Sequence, residues 1–459
     1  MFDVEIPIEH GLDGYSKFIR CKMMPRYEVK GRSVWTDRQS YATIFDAPPI
    51  HALDAVGDHL FDYQRSVVAS ALKMERFGAF LDCGLGKSHI EMAWAHAVSK
   101  VGRVLFLCPL SVMEDLQRIS ERFYGHRMRD LRRGESWDDE IGILNWESRR
   151  EIDMRGVAGI VLDESSVLKQ GDGITRKWLT DLAKSVRFRL ACSATPSPNE
   201  QAEYATHAVF LGYVSTLNTF YGQWFKKDGT QWRLKRHAVE PFYRNLRKWC
   251  CYIQRPSVLG FDSRAEMAED PIYRIIDTSA PKYRATGHLF TTDVSLRESQ
   301  QVFGALRSDT SQPRFRDACD AIGDDRSIVW CSRNAEQDAF HKDLGGHSIN
   351  GQTPIEQRVD MIDDFRCGRV NRLLSKPSIL GFGVNLPEAD SHLFSGYTWS
   401  FEQFYQAVRR SHRFGRNGRL SVVVPLTERE TPIWHSLKAK MATFDSDVGK
   451  LQELMRGDG

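Results

Sequence analysis

Residues 78–95, GAFLDCGLGKSHIEMAWA, join a short apolar run to two close glycines and a Lys-Ser pair. Gly84, Leu85, Gly86, Lys87 and Ser88 form the turn. Ile90, Ala93, Trp94, Ala97 and Val98 follow with the spacing of one helix face. Strand, glycine turn, Lys-Ser and helix is the order that holds a phosphate. Successive backbone N–H groups and the helix N-terminus cradle the anion, and Lys87 adds a point charge. Ser88 offers a hydroxyl to a Mg²⁺ that travels with the phosphate. The usual loop has a glycine where this chain has Leu81, so an accidental Gly-Lys-Ser stays open on this stretch alone.

Three further segments carry candidate chemistry. In VAGIVLDESSVLK (157–169) an apolar strand runs into Asp163-Glu164, at the end of a strand where an open parallel sheet binds its ligand. Asp163 suits Mg²⁺, and Glu164 suits orientation or deprotonation of an attacking water; a helix start capped by Asp163 or Ser165 is the competing reading. FRLACSATPSPN (188–199) ends a buried strand in Ser193-Ala194-Thr195, or is simply a strand before a proline turn. In FEQFYQAVRRSHRFGRNGR (401–419), helical spacing puts Gln406, Arg410 and Arg413 on one face. Such a run is either a solvated basic face or a pair of arginine fingers for a γ-phosphate.

The elements that must position these groups are legible as alternation. Apolar runs at 78–81, 104–108, 141–144, 159–162 and 188–194 are separated by helical patterns, which predicts a parallel α/β sheet over roughly 60–200. A second series begins near 270, with runs at 327–331, 347–350, 372–375, 392–396 and 420–426. Between them, 200–260 is aromatic and basic and reads as helical. The expected fold class is α/β, with two parallel-sheet lobes and a helical insertion. The expected parts are an N-terminal segment 1–58, a first lobe 59–200, the insertion 201–268 and a second lobe 269–459.

Bulk composition narrows the partners. The 459 residues are 41% hydrophobic and 27% charged with net charge +3, so any nucleic-acid surface must be local. Residues 224–255 are such a place, with nine Lys/Arg against Asp228 and Glu240, and Trp224, Trp232, Phe242, Tyr243 and Trp249 interleaved. Lys226, Lys227, Arg233, Lys235 and Arg236 are the candidate phosphate-backbone contacts; core aromatics under solvated charges are the alternative. HRMRDLRR (126–133) is a weaker candidate that reads more readily as an exposed loop or helix face. Nine scattered cysteines without a C-x-x-C pair argue against zinc ribbons and disulfides and for a reducing cytoplasm. The N-terminus lacks a signal-peptide core, and no run is long enough to cross a membrane.

Taken in order, the phosphate loop, Asp-Glu, Ser-Ala-Thr and late Gln…Arg…Arg resemble the superfamily 2 helicases and translocases. The loop from Asp82 to Ser88 is similar to that of the Swi/Snf-like branch, which dispenses with the first glycine. LFDYQRSVV resembles the adenine-reading element, making Gln64 a base contact. LFLCPLSVMEDLQ (105–117) and IGILNWESRRE (141–151) resemble motifs on the DNA face of the first lobe, implying roles for Pro109, Ser111 and Asn145. INGQTPIEQRVDMIDDF (349–365), ILGFGVNLPEAD (379–390, with Gly383 on the nucleotide side) and QAVRRSHRFGR (406–416) resemble second-lobe motifs. SKPSIL before Gly381 and Arg416 in place of the usual Gln are departures. The short two-lobe core also resembles compact phage and prophage members of the group, which would place it in a host cytoplasm.

The resemblance implies two RecA-like lobes, ATP and Mg²⁺ as cofactors, DNA (duplex favoured, single strands possible) as partner, and a monomer. It implies that Lys87, Asp163, Glu164, Arg410 and Arg413 perform hydrolysis while Ser193 and Thr195 link nucleotide to DNA. Two other functions remain open: a strand-separating helicase, for which no wedge hairpin is legible in the sequence, and a binding module that uses ATP only as a conformational ligand.

Overall fold

The computed structural model describes residues 3–8, 18, 21, 27–37, 57, 59–133, 137, 141–169, 173–229, 231–261, 269–277, 317, 319–380, 384–395, 400–413, 416, 418–426 and 430–456. The chain divides into two units, Met1–Ala265 with Ser446–Gly459, and Glu266–Asp445. The first unit opens with a small antiparallel sheet of β1 (Val4–Pro7), β2 (Tyr27–Lys30) and β3 (Ser33–Thr36), in the order β1-β3-β2, closed over Ile6, Cys21 and Val34.

The main sheet of this unit comprises β4 (Arg76–Leu81), β5 (Arg103–Cys108), β6 (Arg129–Asp130), β7 (Ile141–Asn145), β8 (Val157–Leu162) and β9 (Phe188–Ser193). A hairpin of β10 (Phe225–Asp228) and β11 (Gln231–Leu234) follows. Then β12 (Cys250–Ile253) joins the main sheet, whose order is β12-β4-β9-β8-β5-β7-β6. Every pairing in it is parallel. β4, β7 and β9 are buried at every position, as strands covered by helices on both faces must be.

The segment read as wholly helical is therefore mixed. It contains helices Tyr204–Leu211, Leu217–Trp224 and Val239–Arg247, but also the hairpin and β12. Cys250-Cys251-Tyr252-Ile253 is too short to display a period; it becomes a strand by pairing with β4. That approach needs a glycine opposite, because a Cβ on Gly78 would lie 2.9 Å from the Cys250 Cβ.

The second unit holds β13 (Ile272–Asp277), β14 (Ser327–Trp330), β15 (His347–Ser348), β16 (Arg372–Ser375), β17 (Ser391–Phe394) and β18 (Ser421–Leu426). They form a parallel sheet in the order β13-β18-β17-β14-β16-β15. Two parallel sheets with helices give the expected α/β class. Residues 446–459, read as the end of the second lobe, instead group with the first unit. There the buried Asp447 carboxylate accepts the Tyr243 hydroxyl at 2.5 Å and Gln201 Nε2 at 2.6 Å. A single long helix, Thr431–Arg456, carries no local mark of where its packing partners change.

Within β17, His392 is fully buried. The Trp330 indole N–H donates to its Nδ1 at 3.3 Å, so Nε2 carries the proton and donates to Ser411 Oγ at 2.7 Å. Burial, reinforced by Arg416 and His412, lowers its pKa from 6.5 to about 3. Because the unfolded chain binds this proton more readily, the stability is present above pH 6.5 and is lost as pH falls. Between pH 6.5 and 5, wild-type stability is expected to fall more steeply than that of His392→Gln, by a difference growing from about 0.7 kcal/mol per unit at pH 6.5 to about 1.3 at pH 5. Urea unfolding at stepped pH checks this; equal slopes would contradict a neutral His392.

Candidate nucleotide site

β4 ends at the buried Leu81, and the turn 82–86 leads into helix Lys87–Ser99. Leu81 is thus strand and not loop, which explains why no glycine is required there. Gly84 (φ +87°) and Gly86 (φ +72°) take left-handed backbone, accessible to glycine without strain. A Cβ on Gly86 would fall 2.3 Å from Gln64 Nε2. Gln64 is buried against this turn, donating to Leu85 O at 3.0 Å and accepting Phe61 N–H at 3.0 Å, while the Tyr63 hydroxyl also reaches Leu85 O at 2.8 Å. Its amide thereby fixes the turn that Lys87 follows.

Lys87 Nζ donates to Leu81 O at 3.1 Å and Asp82 O at 3.4 Å. Burial opposes its charge, but Cys83, Glu164, Asp163 and Asp82 outweigh that penalty and raise its pKa. Ser88 lies one residue into the helix. The ammonium and the helix N-terminus form a positive corner facing three carboxylates, an arrangement suited to a Mg²⁺–phosphate pair.

Asp163 and Glu164 follow β8 directly. The Asp163 carboxylate accepts the Glu164 N–H at 2.8 Å, and burial raises its pKa against the pull of Lys87. No α-helix starts here: a short 3-10 turn, Ser165–Lys169, comes next, and the following α-helix begins at Ile174. The helix-cap reading is therefore excluded. Glu164 has φ +48°, which costs a non-glycine residue about 1–2 kcal/mol and is held by the surrounding structure.

Ser193 and Thr195, at the end of β9, are fully buried. Thr195 N–H donates to Ser193 Oγ at 3.0 Å, and the Tyr252 hydroxyl clamps Ala194 O at 2.8 Å. Since β4, β9 and β8 are neighbours, the turn 82–86, Ser193–Thr195 and Asp163–Glu164 share one carboxyl edge of the sheet. Pro109 and Ser111 follow β5 and Asn145 closes β7, at the same edge. Glu147 ties them, accepting Asn145 Nδ2 at 3.0 Å and Leu110 N–H at 3.3 Å.

Two residues here escaped the sequence reading. Glu91, fully buried on the helix behind Lys87, sits close to Asp163 and Cys192; burial and the Asp163 charge push its pKa well up. Its signal was an acid inside the apolar run IEMAWAHAV. His207, buried and neutral with burial lowering its pKa to about 3, is 3.0 Å from Ser165 Oγ. Its partner is 42 positions away, so no local pattern could reveal it.

In the second unit Gln406 is buried on helix Phe401–Val408. That helix ends before the arginines, so the single helix face expected for Gln406, Arg410 and Arg413 does not form. Leu386 N–H bonds Arg410 O at 2.9 Å, and Ser411 Oγ lies 2.7 Å from His392 Nε2. Arg410, buried, reaches Val384 O at 3.5 Å, and the Arg413 guanidinium meets Asn385 Oδ1. Arg416 is absorbed by backbone carbonyls, including Gly418 O at 3.0 Å, Pro387 O at 3.2 Å and Arg419 O at 3.0 Å. Gly383 lies outside the described residues.

In the basic segment, Lys226, Lys227, Arg233 and Arg236 are exposed. Lys235 differs: its ammonium caps the helix Leu217–Trp224, donating to Gly222 O at 2.7 Å and Gln223 O at 3.2 Å. Trp224, Phe242, Tyr243 and Trp249 are core, as the alternative reading held. Of these aromatics, Trp232 remains partly exposed.

Residues 314–415 match the family described as Helicase conserved C-terminal domain. The chain is also similar to a Caenorhabditis elegans homolog of SWI/SNF-related matrix-associated actin-dependent regulator of chromatin subfamily A-like protein 1. The two are 22% identical over 435 residues, 84% of this chain and 61% of the relative. The matched part of the chain is a helicase conserved C-terminal domain, and over most of its length the chain is similar to a SWI/SNF-related protein. A second similarity is to the TATA-binding protein-associated factor BTAF1 of Arabidopsis thaliana, 27% over 138 residues, 28% of this chain and 7% of that protein. The chain spans about three fifths of the first relative's length and a small part of the second's. Among solved structures it is similar to the Sulfolobus solfataricus SWI2/SNF2 ATPase core in complex with dsDNA, at TM-score 0.43 and 16% identity, covering 87% of this chain and 96% of that one. Among the described residues, no helix is long and apolar enough to cross a membrane.

Proposed function

We propose that the chain is an ATP hydrolase stimulated by DNA, and that it translocates along a duplex by nucleotide-driven closure of its two lobes. The observation that carries this reading is the shared carboxyl edge of β4, β9, β8, β5 and β7, where phosphate-binding, acidic, coupling and candidate DNA-facing residues are contiguous. Lys87 and the turn 84–86 bind the phosphates, and Gln64 orients the turn and the base. Ser88 and Asp163 supply the hard oxygen ligands for Mg²⁺, which neutralises phosphate charge when bound. Glu164 orients or deprotonates the attacking water. Gly383, Gln406, Arg410 and Arg413 contribute from the second unit on closure, which confines hydrolysis to the closed state and converts it into stepping. Ser193 and Thr195 transmit the change toward Pro109, Ser111, Asn145 and the basic hairpin.

The β10–β11 hairpin also favours a second reading, strand separation, since an exposed hairpin can act as a wedge. Phosphate release without nucleic acid, then with single-stranded DNA, duplex DNA and RNA, tests both. Stimulation of about 10-fold or more by duplex is expected for coupled closure; stimulation confined to single strands would favour separation. Activity indifferent to all of them would overturn the motor assignment.

A further inference from the structure

Glu164 holds a left-handed backbone, φ +48°, which a residue with a β-carbon keeps only where its neighbours over-determine it. Two restraints are local: Glu164 N–H donates to Asp163 Oδ1 at 2.8 Å, and Val167 N–H donates to Glu164 O at 3.0 Å. Both lie within the turn and travel with it. A third reaches another element. Ser165 Oγ, on the residue after Glu164, lies 3.0 Å from His207 Nε2 on the helix Tyr204–Leu211, 42 positions away. Both side chains are fully buried, so the bond forms in a low-dielectric interior, where it is strong.

His207 is itself fixed. β4 turns Ala79 and Leu81 into the core shared with Ile90 and Trp94 and, by alternation, Phe80 to the opposite face. There Phe80 meets the His207 ring edge-on, at 5.1 Å between centroids and 80° between planes. The ring thereby spans from the strand that enters the turn 82–86 to the turn that carries Glu164. Val167 and Leu168 also bury the latter turn, but apolar contact is non-directional. As packing, the polar pair is a poor solution, since a buried hydroxyl and a buried imidazole forfeit hydration that two hydrocarbon side chains never had. What hydrocarbon cannot supply is a fixed direction for the residue next to Glu164.

We infer that His207 is a positioning residue for hydrolysis: through Ser165 it holds Glu164 in the left-handed turn that aims its carboxylate at the attacking water. This rests on the reading above of Glu164 as the group that handles that water. It makes the Ser165–His207 bond matter to the chemical step and not to nucleotide binding, because Lys87 and the turn 82–86 lie outside it.

The test measures kcat and KM for ATP, with and without duplex DNA, and thermal unfolding of Ser165→Ala, His207→Leu, the double variant Ser165→Ala/His207→Leu and His207→Gln, beside Glu164→Gln. The double variant is expected to melt near or above wild type, since both polar partners leave together. Its kcat falls by about 10–100-fold, the range for a reacting group displaced by about 1 Å, while KM changes little. Each single variant loses kcat to the same extent as the double, because each breaks the same bond. His207→Gln returns a polar group within reach of Ser165 and recovers most of the loss. Rates are normalised to folded protein, and Ser165→Ala, which deletes one hydroxyl, carries the test should the larger changes not fold. Wild-type kcat per folded molecule in Ser165→Ala or the double variant, with Glu164→Gln inactive, overturns the inference alone and leaves the role of Glu164 standing. A loss that Gln at 207 does not recover also overturns it. Wild-type turnover in Glu164→Gln removes the role of Glu164 first, and the inference with it.

Discussion

Lys87→Ala is expected to lower ATP turnover by about 10³-fold, the range seen when a preorganised charge-stabilising donor is removed, with DNA affinity unchanged. The side chain holds the turn through Leu81 O and Asp82 O, and in the proposed mechanism it exchanges these carbonyls for phosphate oxygens. Its charge survives burial because Cys83 and the carboxylates of Glu164, Asp163 and Asp82 outweigh desolvation, so the site keeps an ammonium. Glu164→Gln separates binding from chemistry at the same site. It retains shape and hydrogen-bonding reach but cannot accept a proton, and turnover should fall by about 10²–10⁴-fold with nucleotide affinity preserved. Single-turnover phosphate release and titration with a fluorescent ATP analogue check both variants. Turnover within a few-fold of wild type in either would contradict the assignment of roles.

Arg410→Ala carries the second large effect. If Arg410 acts on the γ-phosphate after closure, kcat falls by about 10³–10⁵-fold while KM for ATP changes little. Arg410→Lys should not rescue, because a point charge cannot reproduce the planar fork. A purely structural role makes a different prediction. Arg410 is buried and reaches Val384 O, so losing only that contact would lower the melting temperature and leave kcat of the folded fraction near wild type. Kinetics normalised to folded protein, together with a thermal melt, decide between them. Arg413 is more exposed and engaged with Asn385; its replacement tests whether the two arginines act as a unit, since paired loss would then exceed neither single loss by much.

The sequence by itself determined the strands and the turns that follow them. Apolar runs such as VLFLC and GIVL are local, and each is ended by a proline, a glycine turn or an acid, so Lys87, Asp163 and Ser193 could be placed at strand ends from pattern alone. The second series of runs was equally legible, and RLLS coincides with β16. What tertiary structure decided is which strands are neighbours. Nothing in the period of β4, β8 and β9 states that β9 lies between the other two, yet that order is what brings three motifs to one edge. The same holds for β12 and the β10–β11 hairpin, whose strands of four residues are defined by partners and not by periodicity. It holds for the contacts of the segment after Val408, because Leu386 and His392, which bond Arg410 O and Ser411, are distant in sequence. Glu91 and His207 make their contacts with groups on other elements, and a contact between elements is written in no single window of the chain.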